Sequence, residues 1–215
     1  MTKFFYENHL CNQNQTAAPD LVWVVDFTKI SILGNKKIYI FLAIDIHTNC
    51  IVTYKISQKE FKTSGVIKSL ETAFEKRFPY YPAGKPEILL LVHSDRGTQF
   101  TNQSYHNFVL KYADLFEPSM SRHRTPKDNS VMERFVRTFK NHKIRGLTIQ
   151  QRLEKELIKN YKFMSYRKVM TSYVTSLNNK ANQKSSPLSP LKRDIVLSNA
   201  NLLMAAPIYT KAFSE

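Results

Sequence analysis

Leu-Val-Trp-Val-Val-Asp-Phe-Thr-Lys-Ile-Ser-Ile, residues 21–32, is the stretch on which the fold turns. Its Val and Ile content reads as a strand, and a period of two puts Val22, Val24, Asp26 and Thr28 on one face. A carboxylate in so apolar a strand is costly unless a cation or a hydrogen-bond donor meets it. Outward from this stretch, Ile38–Ile46 is almost continuously apolar and Cys50–Ser57 alternates weakly. Gly34-Asn35 and His47-Thr48-Asn49 separate the three runs, so three consecutive strands joined by tight turns are expected. Lys62–Arg77 changes period, with Val66, Leu70 and Phe74 at helical spacing.

Pro79, Pro82, Gly84 and Pro86 then break the chain. Ile88–His93 reads as a buried strand, Asn102–Tyr112 as a helix capped by Thr101, and Leu115–Ser119 as a short strand. A basic loop, Ser121–Asp128, leads to a helix over about Ser130–Lys143, and a longer helical stretch covers roughly Thr148–Asn179. Residues 1–19 lack periodicity and read as an N-terminal arm, 20–192 as the core, and 193–215 as a tail without assignment. This element order implies an α/β fold, a mixed five-stranded sheet with helices on both faces. It matches the ribonuclease-H-like architecture, and order alone leaves other α/β folds open.

Composition narrows the partners. The chain has 215 residues, room for one compact domain with short extensions, and 42% apolar residues, which excludes general disorder. The longest apolar runs, Ile38–Ile44 and Ile88–Val92, fall far short of the roughly 20 residues that span a bilayer. No signal-peptide or membrane-anchor pattern opens the sequence. Cys11 and Cys50 form neither a C-x-x-C pair nor part of a His/Cys quartet, so a reducing compartment fits. There are 32 Lys and Arg against 17 Asp and Glu, a net charge of +15, which points to a polyanionic partner. Residues 111–170 hold 15 basic and 6 acidic residues, three fifths of the excess, as a binding surface requires.

Three further carboxylates stand out. Asp95 ends the run Ile-Leu-Leu-Leu-Val-His-Ser-Asp, at the carboxyl end of a buried strand, where open α/β sheets place ligand sites. An Asx turn would also explain it, just as a core hydroxyl would satisfy Asp26. Asp45 precedes the turn at 47–49, and turn initiation accounts for it. Glu133 fits a capping box, Ser130-Val131-Met132-Glu133. It also shares a polar helix stripe with Asn129, Arg137 and Lys140, beside a core stripe of Met132, Phe135, Val136 and Phe139. That stripe suits a metal ligand beside a DNA backbone track, and equally an ordinary solvated face.

Together these residues resemble the catalytic core of the retroviral integrase superfamily, and especially the transposases of bacterial insertion sequences. Val-Trp-Val-Val-Asp-Phe-Thr at 22–28, His-Ser-Asp-Arg-Gly-Thr-Gln-Phe at 93–100, and Ser-Met-Ser-Arg followed by Asp-Asn-Ser-Val-Met-Glu-Arg-Phe at 128–135 carry the likeness. A weaker echo is Asn178-Asn179 leading to Ser185–Pro190. The resemblance implies an acidic triad of Asp26, Asp95 and Glu133, holding two Mg²⁺ ions, with Mn²⁺ a substitute. It implies cleavage of a DNA phosphodiester to free a 3′-hydroxyl, which then attacks target DNA. Arg122, Arg124, Lys127, Arg137 and Lys140 are the expected phosphate contacts.

Two departures from the family pattern are visible. Asp95 and Glu133 are separated by 37 residues, slightly more than the family's usual spacing, and Gln183-Lys184 stands where a His is common. The expected partners are double-stranded DNA and further copies of the chain, at least two on DNA. No helix-turn-helix pattern is legible in 1–19, so choice of the DNA ends is expected to need a helix-turn-helix partner protein or an upstream fused segment. In a bacterium the expected location is the cytoplasm, at the nucleoid; an organelle interior stays open. A catalytically silent DNA-binding remnant and a ribonuclease-H-like nuclease are the alternative functions.

Overall fold

The computed structural model describes residues 2–10, 18–81, 83, 84, 86, 88–160 and 163–185; the expected tail and the Ser185–Pro190 closing segment lie largely outside them. Three antiparallel strands, β1 (Val22–Ile32), β2 (Lys36–Asp45) and β3 (Ile51–Ser57), form one side of a five-stranded sheet. β4 (Leu90–Ser94) and β5 (Phe116–Met120) complete it, parallel to β1, in the order β3-β2-β1-β4-β5. This is the expected mixed sheet.

Both sheet faces are buried, and the alternation in the sequence assigns each residue to its face. Val22, Val24, Ile38, Ile40, Leu42, Ile44 and Leu91 join one apolar cluster. Trp23, Val25, Phe41, Ala43, Leu90 and Val92 join the other. Helices α1 (Thr63–Arg77) and α3 (Gln103–Lys111) cover the second cluster through Val66, Leu70, Phe74, Tyr105 and Phe108. Helices α4 (Ser130–Asn141), α5 (Ile149–Asn160) and α6 (Phe163–Ser185) cover the first through Met132, Phe139, Leu153, Met170 and Tyr173. A four-residue helical turn, α2 (Thr98–Thr101), precedes α3.

The turns follow their residues. Gly34 and Asn35 both take positive φ, at 72° and 57°, in the β1–β2 connection. Asp45 is the turn residue expected, its Oδ2 accepting from Thr48 N–H at 3.0 Å. One expectation needs correction, and one of the two readings of Glu133 falls away. The cap of α3 is Asn102, whose extended backbone lets its side chain accept from Tyr105 N–H, while Thr101 belongs to α2. The Ser130–Glu133 capping box does not form: Ser130 is already helical because a 3₁₀ turn, Pro126–Asn129, runs straight into α4. The helical stretch expected over about 148–179 is α5 and α6. A two-residue hairpin, β6 (Lys143–Ile144) and β7 (Leu147–Thr148), turns through Arg145 and Gly146 at φ 50° and 77° before α5 and α6. Asn178 then stitches α6 to β3, accepting from Ile51 N–H at 2.8 Å and donating to Ile51 O at 3.0 Å. Among the described residues, no helix is long and apolar enough to cross a membrane.

Candidate active site

Strand register brings two of the expected carboxylates together. β1 and β4 run parallel, with Val22 opposite Leu91 and Val24 opposite His93. Asp26 lies two residues further along β1, on the face of Val24 under α4. Asp95 follows Ser94, the last residue of β4, near enough for its charge to act on Asp26. On the opposite face Phe27 fixes the strand, its ring centroid 5.4 Å from both Phe41 and Phe100. Glu133 rises from the first turn of α4, whose Met132 and Phe139 anchor the helix in the cluster. Glu133 itself is exposed.

Each aspartate is oriented by its own donor. Asp26 Oδ1 accepts from Phe27 N–H at 2.6 Å, and Oδ2 from Asn129 Nδ2 at 3.3 Å. Asp95 Oδ1 accepts from Gly97 N–H at 2.9 Å, so the Asx turn exists and aims the carboxylate. Burial pushes the Asp26 carboxyl up to about 6, and the negative charges of Asp95 and Glu133 add to it; the Phe27 and Asn129 donors work in the opposite direction. Asn129 was visible in the polar stripe of α4 but carried no role there. Its Oδ1 is buried without a hydrogen-bond partner, beside the carboxylate its Nδ2 serves.

His93, quoted in a motif and given no role, is completely buried between Ser119 Oγ at 2.9 Å and Ser121 Oγ at 3.1 Å. Burial lowers its pKa to about 4, so at neutral pH it is an uncharged clamp between β4 and the start of the basic loop.

The basic residues divide into two groups. Arg122 folds back on the enclosed Asp128 carboxylate, donating its N–H (2.8 Å), Nε (3.0 Å) and Nη2 (2.9 Å). These donors hold Asp128 well below the usual carboxylate range. Arg124, at φ 55°, Lys127 and Arg137 are exposed, and Lys140 is half-buried. A separate open cleft of about 630 Å³ lies between the β3 edge and α6, lined by Tyr54, Lys55, Arg167, Lys168 and Thr171. It contains none of the three carboxylates.

Among the described residues, no three Asp, Glu, His or Cys side chains stand close enough together to hold a metal ion as they are. The donor set is nonetheless all oxygen, three carboxylates with the unpartnered Asn129 Oδ1 adjoining. That chemistry fits a hard divalent cation and no soft one.

An antiparallel three-strand meander continued by two parallel strands, with helices on both faces, defines the ribonuclease-H-like class. A simian T-cell lymphotropic virus intasome, solved in complex with PP2A regulatory subunit B56 gamma, shares this fold with a TM-score of 0.52 at 15% identity, over 82% of this chain and 52% of that one. The integrase core domain family matches residues 16–126, and the chain belongs to it. Asp26 and Asp95 lie within the matched span and Glu133 beyond it. The transposase of insertion sequence element IS904 from Lactococcus lactis is 28% identical over 142 residues, covering 65% of this chain and 51% of the relative. The insertion element IS600 31 kDa protein from Shigella sonnei is 34% identical over 137 residues, covering 61% and 45%. The chain spans about half the length of these curated relatives.

Proposed function

We propose that the chain is the catalytic core of a DNA transposase of the Asp-Asp-Glu type, cutting a 3′ end of its element and joining it to target DNA. The observation that supports this reading is the parallel pairing of β1 and β4 beside α4, with Asp26 in β1, Asp95 just past the end of β4 and Glu133 in the first turn of α4, the last two close enough for their charges to act on Asp26. Membership of the integrase core family and the likeness to insertion-sequence transposases support it.

In this reading Asp26, Asp95 and Glu133 are the ligands of two divalent ions, Mg²⁺ or Mn²⁺. When bound, such ions stabilise the attacking and leaving oxygens of an in-line displacement at phosphorus. The protein's own part is positional. Phe27 N–H and Asn129 hold the Asp26 carboxylate, with Oδ2 on the Asn129 side. The Gly97 N–H orients Asp95. Arg137 and Lys140 extend from Glu133 along α4 and hold the phosphates of the donor end, while Arg124 and Lys127 reach DNA from the loop. Arg122 keeps that loop folded through Asp128 and offers its exposed edge to the same strand.

One triad serves one DNA end, so a complex joining two ends contains at least two copies. Phosphate contacts carry no direct sequence information. Choice of the cognate end therefore rests with a helix-turn-helix partner or a segment outside this sequence. The test is a joining assay with 5′-labelled duplexes and Mg²⁺ or Mn²⁺. Longer labelled products that vanish on Asp95→Asn support the reading. Hydrolysis of RNA–DNA hybrids without joining would favour a nuclease, and DNA binding without either reaction a silent remnant.

A further inference from the structure

Residues 3–9 have no part in the chemistry above, yet they touch α2, α3, β5 and the loop at 121–128. Phe4 N–H donates to Thr101 O at 2.8 Å, Met120 N–H to Glu7 O at 3.1 Å, and His9 N–H to Ser119 Oγ at 3.0 Å. The segment therefore runs along the free edge of β5, the last strand of the sheet. Phe4 stacks on His106 of α3 with ring centroids 3.9 Å apart, and the Tyr6 hydroxyl lies 3.0 Å from His106 Nδ1. These contacts fasten the segment at both ends of its course.

Its remaining contacts reach the basic loop. Asn8 Nδ2 donates to Asp128 Oδ2 at 2.8 Å, the same oxygen that receives Arg122 N–H and Nε. Arg96, the neighbour of Asp95, lies over the Phe5 ring at 5.0 Å and donates Nε to Ser121 O at 2.8 Å. Beyond Ser121 the loop closes on itself: Thr125 N–H donates to Arg122 O, Asp128 N–H to Thr125 O, and Arg122 grips Asp128. The Asn8 amide ties that closed loop to the sheet edge. The residue after Asp128 is Asn129, which holds Asp26, and Glu133 follows one turn later.

We infer that residues 3–9 form a strap that sets the loop at 121–128, and with it Asn129 and Glu133, against Asp26 and Asp95. Asn8 and Phe5 are then positioning residues for the reaction proposed above, on which this inference rests. The argument is one of connectivity. Asp128 has a side chain only 3% exposed, and its charge is satisfied by four donors, one of them from the strap. Removing the Asn8 donor leaves an enclosed carboxylate short of a partner, which the loop relieves by opening. Opening the loop moves the start of α4, and a small displacement of a catalytic group is expensive in rate.

The experiment compares Asn8→Ala, Asn8→Asp and Phe5→Ala with the parent chain, by amide hydrogen exchange without metal and by single-turnover joining at saturating DNA. Exchange at 122–130 is expected to rise about tenfold in Asn8→Ala, and further in Asn8→Asp, whose charge repels Asp128, while β1 and β4 amides stay protected. The joining rate is expected to fall about tenfold with the half-saturating DNA concentration unchanged. Exchange in the loop unaffected by all three substitutions would overturn the strap. So would equal acceleration in β1 and β4, which would mean only lost global stability. Exchange needs no catalysis, so a parent chain that joins no DNA would sink the transposase reading and leave this test intact.

Discussion

Asp26→Asn should make the protein more stable while it disables it. The carboxyl titrates at about 6 in the folded chain against an ordinary 3.8, so ionising it at neutral pH costs about 3 kcal/mol. Asparagine removes that cost. It also accepts less strongly from Phe27 N–H, and Asp26 keeps some solvent contact, so the net gain should be about 1–2 kcal/mol. For a chain of this size that is a rise of about 2–8 °C in Tm. The sign follows from linkage. The folded state binds the Asp26 proton more tightly than the unfolded chain, so wild-type stability falls as pH rises from about 4 through 6. The advantage of Asn should therefore be full above about pH 7, shrink through 6 and vanish below about 4. Thermal unfolding of both proteins in a chelator, over a pH series, reads it directly. An Asn protein no more stable at about pH 8, or an advantage that ignores pH, would refute the electrostatic account of this carboxylate.

A methyl group at Gly97 would sit 2.9 Å from Asp95 Oδ1, at a φ that any residue accepts. Gly97→Ala should thus leave Tm within about 2 °C while pushing the Asp95 carboxylate aside, and slow joining by about a hundredfold. Glu133 makes no capping bond, so Glu133→Gln should change stability by less than about 1 kcal/mol in urea unfolding and abolish cleavage. Replacing Arg137 and Lys140 by Ala should flatten the plot of log affinity against log salt by about two units, roughly one per lost phosphate contact. An unchanged slope would return both to the solvated face of α4.

The architecture was legible because β1, β2 and β4 are buried on both faces, and their alternation sorts Val24 from Trp23 and Leu42 from Phe41 without ambiguity. Asp26 was legible for the same reason, as the one carboxylate in an otherwise apolar strand. Asp45 was separable because a turn begins beside it, and Thr48 is its partner. What stayed hidden depends on contacts between distant residues. Asn129 and Asn178 have the spacing of any polar helix residue, and only the fold delivers them to Asp26 and Ile51. The choice of Asn102 over Thr101 as cap was decided by backbone geometry, since either side chain can accept. The strap at 3–9 has no periodicity because it is held by backbone bonds to Thr101 and β5 and by single side-chain contacts with His106, not by an apolar face on a core. The hairpin before α5 turns on Arg145 in a left-handed conformation, which a charged residue does not advertise.

That Asp26, Asp95 and Glu133 act as one divalent-metal site is tested most directly by titrating Mn²⁺ into the protein on a duplex carrying a 3′ end, followed by electron paramagnetic resonance. Up to two tightly bound ions per chain are expected, with at least one lost in each of Asp26→Asn, Asp95→Asn and Glu133→Gln. Three variants that bind Mn²⁺ as the parent chain does would contradict the account.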